Sequence, residues 1–391
     1  MKFVNQLLER LQQRASTQGP EGAQTPNHKR PPNVSKIIDD ALASAGLGRG
    51  TTQGGQISAV IDDALARAGL LGPGAAPVTN PVHSDNDAPV APAFSESGNK
   101  SRDSSQGQFL SHTFSGPAGT LAYKLYVPRS YEPDSTSTVP LLVMLHGCTQ
   151  SPDDFAVGTR MNAQADLHGF LVAYPAQSAK ANANTCWNWF RPQDQMRGGG
   201  EPALITAMTA QVATDYRVDP NRVFVAGLSA GAAMAVVLGR TYPDVFAAVG
   251  AHSGLAYRAA SDMGSAFAAM RNGATGDADG RARGGGNLTP TIVFHGDRDH
   301  TVSAANGDAI VAQQTRAGGH VRTRESGRGS TGHGYERTTY TDASGRTVVE
   351  DWRVQGGGHA WMGGSATGTY TDPHGPDASA EMVRFFLQQV S

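Results

Sequence analysis

One stretch of the chain limits the fold more than any other. The apolar run V-F-V-A ends at Ala226 and passes directly into G-L-S-A-G, Gly227 to Gly231. A helical pattern, A-G-A-A-M-A-V-V-L-G, opens at Ala230. A strand that is apolar at every position suits burial on both faces of a parallel sheet. The turn into the helix has almost no residues to spend, so strand and helix must pass close together. Gly227 and Gly231 leave room for that approach. Ser229 is then held at the carboxyl end of the strand, against the N–H groups and positive dipole end of the helix.

The rest of the chain from residue 108 repeats the alternation. Strands are expected at 109–114, 121–127, 140–145, 170–174, 223–226, 247–251, 291–295 and 348–354. Helices are expected at 153–167, 201–216, 230–242, 304–317 and 377–390. Continuous runs such as P-L-L-V-M-L and R-V-F-V-A alternate with helices, which predicts an α/β three-layer sandwich around a mostly parallel sheet.

Residues 1–107 read differently. Phe3, Leu7, Leu8 and Leu11 share a helical face, consistent with a short packing helix or a surface anchor. The sequence I-D-D-A-L-A-x-A-G-L begins at Ile38 and again at Ile61, a 23-residue offset. Each copy predicts one short amphipathic helix stopped by Gly46 or Gly69. The pair reads either as a duplicated, weakly folding linker or as two docking motifs that gain avidity from duplication. Residues 72–107 are rich in Pro, Ser, Ala and Asn without periodicity, as in a flexible linker. The expected organisation is therefore a largely disordered N-terminal region with short helices (1–71), a linker (72–107) and a folded domain (108–391).

The formal net charge of −2 gives no reason to expect a nucleic-acid partner. No run approaches the roughly 20 apolar residues of a membrane span. Asn5, Gln6, Glu9 and Arg10 interrupt the apolar run that a signal peptide needs. The expectation is a cytoplasmic or granule-associated protein, with export by another route as the alternative.

Ser229 needs a base to become a nucleophile. In a strand–elbow–helix context the acid and then the base follow along the chain. The strand at 291–295 ends in H-G-D-R-D-H-T-V, which offers Asp297 and Asp299. Spacing does not choose between them, and one is expected to be a loop cap. His359, in Q-G-G-G-H-A-W after the last strand, is the expected base; His300, His320, His333 and His374 are less suitably placed. The oxyanion of a tetrahedral intermediate needs two N–H donors. Ala230 should supply one and Cys148, in H-G-C-T-Q, the other. A nucleophilic Cys148 thiol is a rival that the Ser229 elbow makes unnecessary. The segment N-T-C-W-N-W-F brings Trp187 and Trp189 together. With Trp361 they are candidate substrate-binding residues, or else loop packing. Cys148 and Cys186 could form one bridge, tying this segment to the oxyanion turn. There is no Walker A sequence, dinucleotide fingerprint or metal-ligand cluster, and this chemistry needs no cofactor and no metal.

Seven motifs in order resemble the poly(3-hydroxybutyrate) depolymerase family of esterases. They are L-H-G-C-T-Q-S-P-D-D-F-A, C-W-N-W-F, G-G-G-E-P-A, G-L-S-A-G-A-A-M, H-G-D-R-D-H-T-V, G-G-G-H-A-W and Y-T-D-P-H-G-P-D-A-S. The resemblance spans about residues 108–391. It implies an α/β-hydrolase domain that cleaves carboxylic esters through an acyl-enzyme, with Ser229 as nucleophile and His359 as base. The family's acid position falls on Asp299. Relatives include feruloyl and acetylxylan esterases, so the ester is not implied. A polyhydroxybutyrate chain or its oligomers is the first expectation and an aromatic or acetyl ester the second. A reading of another class makes the protein a binding scaffold, docking to a partner or polymer granule through residues 1–71.

Overall fold

The computed structural model describes residues 107–274, 288–328 and 332–389. The helices and repeat expected in residues 1–71, and the linker up to residue 106, lie outside the described residues.

Ten strands form one sheet. They are β1 (Gln108–Gly116), β2 (Gly119–Val127), β3 (Val139–Leu145), β4 (Leu171–Pro175), β5 (Val218–Leu228), β6 (Ala248–His252), β7 (Thr291–Gly296), β8 (Val321–Arg328), β9 (Gly334–Thr341) and β10 (Thr347–Val354). Their spatial order is β1-β2-β4-β3-β5-β6-β7-β10-β9-β8. The six strands β4, β3, β5, β6, β7 and β10 run parallel, and antiparallel pairs finish both edges. The central sheet therefore presents the carboxyl ends of β3, β5, β6, β7 and β10 along one edge. Two short strands, β11 (Trp361–Met362) and β12 (Thr371–Asp372), pair separately in parallel.

The helices are α1 (Pro152–Thr159), α2 (Met161–His168), α3 (Gly200–Asp215), α4 (Ala230–Thr241), α5 (Met263–Asn272), α6 (Ala305–Thr315) and α7 (Ala378–Leu387). Side-chain alternation along each central strand separates two cores. Leu141, Val143 and Leu145 of β3 join Val223 and Val225 of β5 under α3, α4 and α6. Leu142, Met144, Phe224 and Ala226 face the other way, under α1, α2 and α7. Helix α4 is buried at every position from Ala230 to Gly239, as its uniformly apolar sequence requires.

Three expectations are corrected. The single helix at 153–167 is two helices, because Arg160 takes a left-handed conformation (φ 58°) between them. Helix α5 was not foreseen; Asp262 caps it by accepting from the Ser265 N–H, while Ser265 Oγ accepts from the Asp262 N–H. Strands β8 and β9 fall where no strand was expected. β8 is rich in charge and exposed at every position and β9 is mostly polar and half-buried, so pairing at the sheet edge, not an apolar pattern, makes them strands.

Candidate active site

The elbow is built by close packing. A Cβ added at Gly231 would lie 2.1 Å from the Leu145 carbonyl oxygen, and one at Gly227 would lie 2.4 Å from the Gly231 carbonyl carbon. Only glycine fits at either position. Between them Ser229 adopts φ 58° and ψ −119°, a strained backbone for a residue with a side chain. Its N–H donates to the His252 carbonyl at the end of β6 (2.9 Å), which holds the strain in place. Ser229 is 8% exposed and stands at the N-terminus of α4.

The acid and base candidates come from the loops after β7 and β10. His359 Nδ1 lies 2.8 Å from Asp299 Oδ2. The other carboxylate oxygen, Oδ1, accepts from the N–H groups of Thr301 (3.0 Å) and Val302 (2.8 Å). Burial alone would push this carboxyl up. The nearby His295 and the hydrogen bonds from His359 and the Val302 amide outweigh that and hold it well below the usual carboxylate range. Asp297, its neighbour, instead accepts from the Gly356 N–H (2.6 Å). It is the loop cap that the acid pair was expected to contain, and it ties the β7 loop to the loop that carries His359.

The turn after β3 abuts the serine. A Cβ on Gly147 would be 3.7 Å from the Ser229 Cβ. Within that turn Gly147 N–H is bonded to Gln150 Oε1 (2.9 Å) and Thr149 N–H to the Asn184 carbonyl (2.8 Å). The Cys148 N–H has no such partner among the described residues, as a donor reserved for an oxyanion would not. Cys148 and Cys186 are joined (S–S 2.05 Å), so neither is a free thiol.

The bridge ties the turn to the segment around Cys186, which is anchored from below. Glu201, in the first turn of α3, accepts from Gln177 Nε2 (2.6 Å), Asn188 Nδ2 (2.5 Å) and the Asn188 N–H (2.7 Å). Burial raises its pKa, against those hydrogen bonds. His146 adds a further tie, its Nε2 accepting from the Gln177 N–H (3.1 Å).

The tryptophans do not form a substrate wall. Trp361 and Trp187 are 0% and 1% exposed and Trp189 is 5% exposed. The Trp187 indole N–H donates to the His146 carbonyl, and that of Trp361 to Ser379 Oγ, both at 3.1 Å. Trp189 packs edge-on against Phe190. Each ring is core packing beneath the site, which corrects their expected role as substrate-binding residues. His374 likewise pairs with Asp372, as does His333.

Sequence reasoning missed three residues. His252 is fully buried between the rings of Phe294 and Trp361, and its Nε2 accepts from the Met362 N–H (3.1 Å). Burial, then the nearby His295 and His359, push its pKa down to about 3, so it is a neutral strut under the His359 loop. His295, at the end of β7, donates Nε2–H to the Val302 carbonyl (2.8 Å) and sits 3.5 Å from Asp299 Oδ2. A histidine ending an otherwise apolar strand, as in A-V-G-A-H and T-I-V-F-H, is the signal that could have found both. Tyr370 is the third; its position depends on a contact across 221 residues that no local pattern carries.

A parallel-centred sheet with a serine elbow, an acid and a histidine gathered on its carboxyl edge defines the α/β-hydrolase class. The solved acetyl xylan esterase from Aspergillus awamori shares this fold, with a TM-score of 0.57 at 20% identity, over 72% of this chain and 100% of that one. Residues 121–337, more than half of the chain, match the family described as esterase PHB depolymerase, and the chain belongs to that family. It is 38% identical over 245 residues to poly(3-hydroxyalkanoate) depolymerase C of Paucimonas lemoignei, covering 61% of this chain and 56% of that protein. It is 29% identical over 263 residues to poly(3-hydroxybutyrate) depolymerase of Ralstonia pickettii, covering 63% and 53%. A feruloyl esterase B of Neurospora crassa is 38% identical over 130 residues, covering 33% and 44%. The chain spans about half the length of these curated relatives.

Proposed function

We propose that the protein hydrolyses carboxylic esters through an acyl-enzyme on Ser229, and that its substrate is a hydroxyalkanoate polyester or its oligomers. The observation that carries the mechanism is the 2.8 Å contact of His359 with Asp299, on the same sheet edge as the strained Ser229. Ser229 Oγ attacks the carbonyl carbon as its proton passes to His359 Nε2. The Asp299 carboxylate stabilises the imidazolium. The N–H groups of Ala230 and Cys148 bind the oxyanion. Collapse of the intermediate expels the alcohol, which takes the proton from His359. Water then attacks the acyl-enzyme, giving its proton to His359 and thence to Ser229.

The likeness to hydroxyalkanoate and hydroxybutyrate depolymerases supports the polyester. The shorter match to a feruloyl esterase supports an aromatic ester as the second reading. On compartment, the Cys148–Cys186 bridge favours an oxidising setting, so export is proposed over the cytoplasmic or granule-associated alternative. Residues 1–71 are proposed to dock on polymer or a partner. Deleting them should lower attachment to polymer while soluble-ester turnover persists, and unchanged attachment removes this role.

The test is a substrate panel of amorphous polyhydroxybutyrate, its oligomers, methyl ferulate and acetylated xylan, run on the full chain and on Ser229→Ala. The oligomers should be the best substrates of the full chain, and every turnover should vanish in the variant. Turnover by Ser229→Ala equal to that of the parent overturns the mechanism. A preference for methyl ferulate overturns the polyester.

A further inference from the structure

The residue that touches both halves of the proposed catalytic edge is Tyr370. Its hydroxyl lies 3.3 Å from Thr149 Oγ1, and Thr149 donates its own proton to the Cys148 carbonyl (2.6 Å). The tyrosine O–H is therefore the donor, and it holds the turn that presents the Cys148 amide. Its ring meets the His359 ring edge-on, with centroids 6.4 Å apart.

Tyr370 also has a backbone that its side chain disfavours, with φ 50°. A bulky residue there is an outlier that persists only where the surroundings over-determine it. They do so here. Asp154 accepts from the Thr369 N–H (2.9 Å) and hydroxyl (2.5 Å), and Gln150 Nε2 donates to the Thr369 carbonyl (3.1 Å). The Tyr370 carbonyl accepts from the Trp361 N–H (2.7 Å). The segment is clamped on both sides. The result is an aromatic residue 47% exposed, in contrast to the buried Trp187, Trp189 and Trp361.

We propose that Tyr370 is a specificity-determining residue whose ring packs on the alcohol portion of the ester, so that the enzyme favours esters with an alkyl chain, or a further polyester unit, on the leaving oxygen. This rests on the proposed serine mechanism. His359 must reach the leaving oxygen to protonate it, so the alcohol portion lies against His359. The Tyr370 ring, packed on His359 and open to solvent, is beside that portion. The acyl portion is bonded to Ser229 after the first step and departs from the carbonyl carbon in another direction.

Two ester series separate the sides. Alkyl butanoates from methyl to butyl vary the alcohol, and p-nitrophenyl esters from acetate to hexanoate vary the acyl group. Tyr370→Gly removes the ring, and glycine occupies a positive φ without strain, so folding is retained. Tyr370→Phe removes only the hydroxyl. In Tyr370→Gly the ratio of kcat/KM for butyl over methyl butanoate should fall on the order of tenfold, the expectation for a few methylenes losing apolar contact. The ratio across the acyl series should move less than about twofold, and Tyr370→Phe should keep the parent's alcohol ratio. An unmoved alcohol ratio, an equal shift in the acyl series, or an alcohol ratio that falls as far in Tyr370→Phe as in Tyr370→Gly overturns the assignment. Both readouts are ratios between esters cleaved by one enzyme. Their failure is therefore distinct from failure of the serine mechanism, which Ser229→Ala reports.

Discussion

His359 Nδ1 and Asp299 Oδ2 are 2.8 Å apart, while the opposite oxygen of the same carboxylate accepts two backbone N–H groups. The carboxylate is thus oriented from one side by the chain and offers its other side to the base. That arrangement fixes the proton of a neutral His359 on Nδ1 and leaves Nε2 free to accept one from Ser229.

Asp299→Asn should invert this. The Thr301 and Val302 amides need an oxygen, so the asparagine NH2 group falls where Oδ2 was and faces Nδ1. His359 must then carry its proton on Nε2, where it blocks proton transfer from Ser229. A loss in kcat on the order of 10³–10⁴-fold is expected, with the fold retained. Asp297→Asn, which alters only a loop cap, should stay within about threefold of the parent, since a neutral amide oxygen can still accept one N–H. Steady-state rates on p-nitrophenyl butyrate check both. Equal losses would show that the acid is not specific to Asp299.

The buried His252 makes stability depend on pH. Its folded pKa is about 3, against about 6.5 when exposed in the unfolded chain. Between these values the unfolded state binds the extra proton, so stability rises with pH across the window. The contribution is complete above about pH 6.5 and is lost as pH falls towards 3. The parent's stability relative to His252→Gln should shrink by about 2 kcal/mol between pH 7 and pH 5, as linkage at one group requires. Urea unfolding of both proteins at the two pH values measures it. A difference independent of pH would show that His252 is not a neutral buried group.

The bridge between Cys148 and Cys186 spans a sequence separation of 38 residues. Closing a loop of that length is worth about 3–4 kcal/mol in the chain-entropy account. The double variant Cys148→Ser with Cys186→Ser should lose stability of that order in urea. It should also lose kcat more than KM, because the Cys148 amide is expected to contact the substrate chiefly as the oxyanion forms. Protein purified without reductant should show no reactive thiol after denaturation. Two reactive thiols would remove both the bridge and the argument for an oxidising compartment.

Much of the domain is legible in the sequence. All eight expected strands occur. The central strands β3, β4, β6 and β7 are buried on both faces and must be largely apolar, a pattern that survives in any tertiary setting. The helix break at Arg160 and the two strands at the β8 edge were not legible. Arg160 turns left-handed without a glycine to announce it, and β8 and β9 acquire their conformation from neighbours far along the chain.

The sequence by itself determined the layered α/β class and the elbow at Ser229, with its two obligatory glycines. It also nominated His359, since each of these follows from local spacing and apolar pattern. Asp297 and Asp299 were equivalent by spacing, and the resemblance, not local physics, favoured Asp299. Only the tertiary structure separated them physically, by giving one to His359 and the other to the Gly356 amide. It also buried Trp187, Trp189 and Trp361 and brought Tyr370 to the edge instead. An aromatic residue is equally at home in a core and on a substrate, and the contacts that decide between them join residues far apart in sequence.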